Sequence, residues 1–192
     1  MTDLETHIRN YFGAADDELA TIGSFFHLDS LEKDEFFLHK GRRSDRMGFI
    51  RSGIVREFVV IDEKEITKWI STEGYFIVDL SGFLFQHPAR WNLQALTDCE
   101  LYVIELDDYR QLGSLVPRWT ELEKLFLSRC FAVLEDRVLS HLSMSAEERY
   151  RQLFDYNKEI FNQVPLQYLA SMLGMTPETF SRIRKKMLEE RS

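Results

Sequence analysis

One stretch restricts the fold of this chain more than any other: Val164-Pro-Leu-Gln-Tyr-Leu-Ala-Ser-Met-Leu-Gly-Met-Thr-Pro-Glu-Thr-Phe-Ser-Arg-Ile-Arg-Lys-Lys-Met187. A helix can open at Pro165, where a missing N–H costs nothing, and should end at Gly174, which tolerates a left-handed turn. A second helix can start at once, with Thr176 as N-cap, Pro177 in the first helical position and Glu178 on the positive end of the dipole. Two helices joined by about three residues make a helix-turn-helix. Ala170 is small where the helices would cross. Leu166, Leu169, Leu173, Met175, Phe180 and Ile183 recur at the spacings that fill the wedge between them.

With Phe180 and Ile183 facing inward, the outer face of the second helix carries Glu178, Thr179, Ser181, Arg182 and Lys185, with Arg184 and Lys186 on the flanks. Short hydroxyls and a carboxylate near a helix N-terminus reach base edges, and later cations meet phosphates or guanine. The candidate contacts to double-stranded DNA are Thr176, Glu178, Thr179, Ser181, Arg182, Lys185 and Lys186.

Charge narrows the reading further. The 192 residues carry a formal net charge of −8, so the surface as a whole does not attract nucleic acid and any DNA contact must be local, as the cluster from Arg182 to Lys186 would be. There is no apolar run near the length of a membrane span, and Met1-Thr-Asp-Leu-Glu lacks the regions of a signal peptide. The expected location is the cytoplasm, with no membrane partner. Two cysteines, Cys99 and Cys130, are too few for a disulfide framework or a cysteine-held cluster and are expected to be buried thiols. The five histidines show no close or helically spaced pair, so no metal site is expected. No acid–base pair, nucleophile elbow or phosphate loop is visible, and no catalysis is expected.

In chain order, Thr2-Asp-Leu-Glu5 has capping-box form ahead of Ile8, Tyr11 and Phe12, which predicts a short helix, and a second is predicted over Asp16 to Phe26. The pattern then becomes short β-type runs: Phe36–His39, Met47–Arg51, Ile54–Ile61, Ile66–Ile70, Trp91–Leu96 and Leu101–Leu106, with Gly41, Gly53 and Gly74 at corners. Strands at such spacing predict a sandwich, barrel or jelly roll. Pro117 can start a long helix with two apolar stripes roughly 120° apart, Trp119, Leu122, Phe126, Cys130 and Val133 on one and Leu127, Phe131, Leu134, Val138 and Leu142 on the other. One stripe can pack on the β domain while the other meets a second copy. Two reading helices would then address half-sites about 34 Å apart on a palindromic operator. Ser143-Met-Ser reads as a hinge, and Ser145-Ala-Glu-Glu148 as a capping box that opens a helix bearing Tyr150, Leu153 and Phe154, the third wall of a DNA-binding domain.

This order of jelly roll, long helix and helix-turn-helix resembles the Crp/Fnr family of transcription regulators along nearly the whole chain. Phe49-Ile-Arg-Ser-Gly-Ile-Val-Arg looks like that family's strand-turn-strand segment. Gly74–Phe83 followed by Pro88–Glu100 looks like its phosphate-binding cassette, and Thr176–Arg182 like the start of its recognition helix. The resemblance implies an α+β fold: a double-stranded β-helix of cyclic-nucleotide-binding type over residues 1–116, a dimerisation helix over 117–142, and a helix-turn-helix domain over 143–192 with a minimal or absent wing. It also implies that Glu178 and Arg182 contact bases, with Lys185 close to the backbone.

The cassette departs from that pattern. A nucleotide-binding member shows Gly-Glu, then arginine with a small hydroxyl residue; here the positions read Val78-Asp79 and Ala89, with Arg90 one place on and Trp91 after it. A one-residue offset on a strand turns a side chain to the opposite face. The candidate effector pocket is therefore Ile77, Val78, Asp79, Leu80, Ala89, Arg90 and Trp91, degenerate for cyclic AMP or cyclic GMP. No cofactor is expected and a cyclic nucleotide is disfavoured; the alternatives are another small molecule, a protein partner, or a barrel kept as scaffold. Two other classes fit less of the pattern: an effector-binding module that docks on another protein, and a cupin-type metal enzyme, for which converging ligands are not found.

Overall fold

The computed structural model describes residues 2–189. Helix α1 (Asp3–Phe12) starts on the expected capping box, in which Thr2 and Glu5 each bond the other's backbone N–H. Helix α2 (Asp16–Gly23) is shorter than predicted, because Phe25 and Phe26 take tight three-residue turns back to Ile22 and Gly23 instead of continuing the helix.

Strands β1 (His27–Leu31), β2 (Phe36–Leu38), β3 (Arg46–Ser52), β4 (Val55–Ile61), β5 (Lys64–Ser71) and β6 (Phe76–Ile77) precede the short helix α3 (Leu80–Phe85); β7 (Asn92–Ala95) and β8 (Cys99–Glu105) follow it. They form two antiparallel four-stranded sheets in the orders β1-β8-β3-β6 and β2-β7-β4-β5. Ile50, Leu101 and Val103 from one sheet and Val55, Leu93 and Ala95 from the other share one buried core, as packed sheets require. Strands β1 and β6 were not anticipated. His27-Leu-Asp-Ser-Leu31 alternates weakly and leaves Leu28 exposed, and β6 is two residues long.

Gly41, Gly53 and Gly74 sit at turns with φ of +81°, +96° and +85°. Gly53 is the demanding one, since an added Cβ would lie 2.4 Å from the carbonyl oxygen of Asp98. The β4–β5 turn places Asp62 and Glu63 both at positive φ, the twist a two-residue hairpin prefers, without any glycine.

Helix α4 (Leu106–Leu115) leads to the long helix α5 (Trp119–Ser143), then α6 (Ala146–Tyr156), α7 (Ile160–Gln163), α8 (Leu166–Met172) and α9 (Pro177–Glu189). The chain divides into two compact units, 1–59 with 70–131, and 60–69 with 132–192. In the first, Ile8 and Phe12 of α1, Leu112 of α4 and Trp119, Leu122 and Phe126 of α5 bury together, with Phe12 stacked on Phe126 at 4.7 Å. Tyr109 lies in the same cluster, where burial and then the neighbouring Glu123 carboxylate push its phenol pKa well up.

The first stripe of α5 is buried only as far as Phe126. Cys130 is half-buried and Val133 is exposed, which corrects the expectation that both cysteines are buried and that the stripe runs on to Val133. The second stripe is open to solvent from Phe131 onward: Phe131, Leu134, Val138 and Leu142 are all exposed, while Leu127 is half-buried and packs against the core cluster. Among the described residues no helix is long and apolar enough to cross a membrane.

Candidate nucleic-acid interface and sensor cassette

The second unit is built around an aromatic knot. Tyr150 of α6, Phe161 of α7 and Phe180 of α9 are all buried, with ring centroids 5.0 Å apart for Tyr150–Phe180 and 5.2 Å for Tyr150–Phe161. Three mutually packed rings fix the angle between three helices through large apolar contact. Helix α6 begins on the anticipated capping box of Ser145 and Glu148. Helix α7 occupies the short stretch between α6 and α8, and among the described residues no strand follows Glu105.

Helix α8 begins after Pro165, its N-cap, and stops at Met172, slightly before the expected end at Gly174. Leu173 caps it and Gly174 then turns with φ +67°. The Met175 N–H returns to the Ala170 carbonyl at 3.0 Å, a closing bond typical of a helix C-terminus. A side chain at Gly174 would also crowd the His141 ring, 3.3 Å from the Cβ position. The loose carbonyls at this corner are taken up by arginines: Arg137 donates to the Met172 oxygen at 2.8 Å and Arg149 to the Leu173 oxygen at 2.9 Å. Sequence patterning gave no sign of these two clamps, because each links residues far apart in the chain. The same holds for Ser171, whose hydroxyl accepts from the Thr67 N–H at 2.9 Å.

Helix α9 starts as expected. Thr176 Oγ1 accepts from the Thr179 N–H at 3.2 Å, and Pro177 is the first helical residue. Its inner face buries Phe180, Ile183 and Met187; α8 buries Leu169, Ala170 and Met172. Leu166 and Met175 are only half-buried, and Met172 and Met187 fill wedge positions not assigned to them from spacing.

On the outer face, Thr176, Glu178, Ser181, Arg182, Lys185 and Lys186 are exposed and Thr179 is half-buried. The Glu178 carboxyl is held below the usual carboxylate range by its own backbone N–H and then by the Thr176 hydroxyl, which pins it at the helix start as an anion. Lys185 lies 4.0 Å from Glu189, both largely exposed, a contact that salt and solvent readily loosen. Lys186 is placed differently: its Nζ donates to Glu147 of α6 at 2.8 Å, and that bond, with Arg151, keeps Glu147 below its usual range. It thus turns toward α6 and not with Arg182.

The cassette belongs to the first unit. Ile77, Val78, Asp79 and Ala89 are buried, Leu80 and Trp91 half-buried, and Arg90 exposed. Asp79 organises it. One carboxylate oxygen caps α3 by accepting from the Gly82 N–H at 2.9 Å; the other accepts from the N–H groups of Arg90 at 2.6 Å and Trp91 at 3.3 Å. Asp79 is 3 % exposed, so its oxygens take their hydrogen bonds from amide donors of the fold. The Ser44 hydroxyl reaches the Asp79 carbonyl at 3.3 Å, and a Cβ at Gly82 would lie 3.0 Å from the His87 oxygen, so the space beside the carboxylate is filled. Arg90 meets this centre through its backbone N–H, and the residue is exposed.

Residues 28–114 match the cyclic nucleotide-binding domain family. Among curated proteins none matches the chain. Of solved structures, the c-di-GMP responsive global regulator CLP of Xanthomonas campestris is similar at 20 % identity and a TM-score of 0.69, covering 92 % of this chain and 93 % of that one. FixK2 of Bradyrhizobium japonicum is similar at 15 % identity and 0.72, covering 86 % and 85 %. The catabolite activator protein of Thermus thermophilus is similar at 22 % identity and 0.58, covering 96 % and 87 %. At these identities the likeness is one of fold.

Proposed function

We propose that this chain, whose residues 28–114 match the cyclic nucleotide-binding domain family and whose fold is similar to those of CLP, FixK2 and the catabolite activator protein, is a homodimeric, sequence-specific DNA-binding regulator of Crp/Fnr type. The observation that carries the reading is α9: a helix seated by Phe180, Ile183 and Met187 that leaves Thr176, Glu178, Ser181, Arg182 and Lys185 exposed together after a tight corner. Inserted in a major groove, the N-terminal hydroxyls and Glu178 face base edges, Glu178 accepting from a cytosine amino group and Arg182 donating to guanine. Lys185 meets the phosphate backbone, and Lys186 braces α9 on α6 through Glu147.

The partner supporting the symmetric reading is a second copy. Phe131, Leu134, Val138 and Leu142 follow one another at three- and four-residue steps along α5 and are exposed, a seam suited to a parallel pairing of two such helices. Pairing makes each operator contact occur twice and supports a palindromic site. Residues 117–142 then serve as the dimer helix between a sensor segment, 1–116, and a reading segment, 143–192.

The cassette does not accept cyclic AMP or cyclic GMP. The amides of Gly82, Arg90 and Trp91 are already bonded to Asp79, and a phosphodiester would have to bring a second negative charge to the same donors. An effector, if the barrel takes one, is a molecule of other chemistry. The chain is a regulator and not an enzyme in this reading.

Selection of sites from a random DNA pool, with and without cyclic AMP, tests all three parts. The expected result is a palindrome recovered equally well under both conditions; recovery of no sequence preference overturns the reading.

A further inference from the structure

The second unit contains a cavity of about 240 Å³ between α6, α7 and the inner flank of α9, away from the proposed reading face. Its apolar wall is Tyr150, Phe161 and Met187, all buried, completed by the half-buried Phe154 and the exposed Leu188. Lys158 and Arg184 stand at its edge, with the Asn162 amide beside them. A dry cavity of about 150 Å³ holds a benzene ring, so this one has room for a ring or short chain with a small head group.

The charge arrangement states which head group. Arg184 is half-buried, which costs solvation of its guanidinium, and among the described residues it forms no ion pair. The Lys158 ammonium lies 5.6 Å from the Phe154 ring centroid and turns its charge toward the same apolar wall. Two cations over an aromatic pocket, with no carboxylate among the lining residues, suit an anion with an apolar body. A planar carboxylate matches the two-pronged guanidinium.

We propose that this cavity is a binding site for small organic monocarboxylates carrying an aromatic or short aliphatic body. The apolar part lies against Tyr150, Phe161 and Met187, and the carboxylate bridges Arg184 and Lys158. A ligand seated there ties α9 to α6 and α7, whatever α9 contacts on its opposite face; the site does not depend on the DNA-binding reading.

Calorimetric titration of the full chain with 4-phenylbutyrate, octanoate and indole-3-acetate, and with 4-phenylbutanamide as the uncharged counterpart, tests it. The expected result is saturable binding of at least one acid, at least tenfold tighter than the amide. Arg184→Gln and Lys158→Gln, both folded by circular dichroism, should each weaken acid binding by tenfold or more and leave the amide unchanged. Failure of all three acids to bind at millimolar concentration, equal binding of acid and amide, or acid binding unaffected by Arg184→Gln overturns the proposal.

Discussion

The cassette and the start of α9 each hold a carboxylate at the beginning of a helix, Asp79 ahead of α3 and Glu178 in the first turn of α9, and they use it in opposite ways. At the cassette Asp79 is buried and three N–H groups converge on it, so the donors are consumed inside the protein. At the start of α9 the Glu178 carboxylate is pinned by its own N–H and Thr176 yet stays exposed, with oxygens left to accept from an outside partner. The same local chemistry closes one site and presents the other. What differs is burial: an internal anion must have every lone pair satisfied by the fold, whereas an exposed one shares them with solvent or ligand.

The contrast can be broken in a graded series. The largest effect is expected from Phe180→Ala, which removes a fully buried ring from the aromatic knot and should cost about 3–5 kcal/mol in the C-terminal unit. Thermal unfolding should then separate into two steps, with DNA binding lost at the first; a single unshifted transition would count against the knot as the holding element.

Leu134→Glu on the exposed stripe of α5 should convert a dimer to a monomer in size-exclusion chromatography. It should lower operator affinity by roughly 10²–10⁴ through loss of bivalency. Unchanged elution would remove the seam from the model of assembly.

Asp79→Ala strands the Gly82, Arg90 and Trp91 amides in a buried centre and should destabilise the barrel by about 1–3 kcal/mol, read as a lower urea midpoint. Arg182→Ala is the mirror experiment. Being exposed, it should leave the melting temperature in place and cost about 1–3 kcal/mol in DNA binding, with relaxed preference at one base position. If Asp79→Ala instead left stability intact, the closed-cassette account would fail.

The smallest effect concerns His7, stacked on Phe49 at 5.7 Å with its Nε2 buried and unbonded. Burial lowers its pKa, against the opposing pull of Asp3 and Glu73. A lowered imidazole pKa means the unfolded chain binds the proton more readily, so stability is full above the ordinary imidazole range and falls as pH drops through it. A shallow loss of stability between neutral and mildly acid pH is expected, and His7→Phe should flatten it in a pH series of urea melts.

The order of elements, the capping boxes at Thr2 and Ser145, the corner at Gly174 and the polar outer face of α9 were all legible from residue order, because each depends on neighbours within a few positions. The sequence likewise marked Asp79 and the offset of Arg90 as departures from a nucleotide cassette. Only the tertiary structure decided that Asp79 bonds the amides of Arg90 and Trp91, that Arg137 and Arg149 clamp the end of α8, and that Lys186 turns toward Glu147. It also decided where the buried stripe of α5 stops, at Phe126. Those contacts join residues 11 to 39 positions apart, and helical or strand periodicity says which face a side chain occupies but nothing about which distant carbonyl or carboxylate packing brings to it.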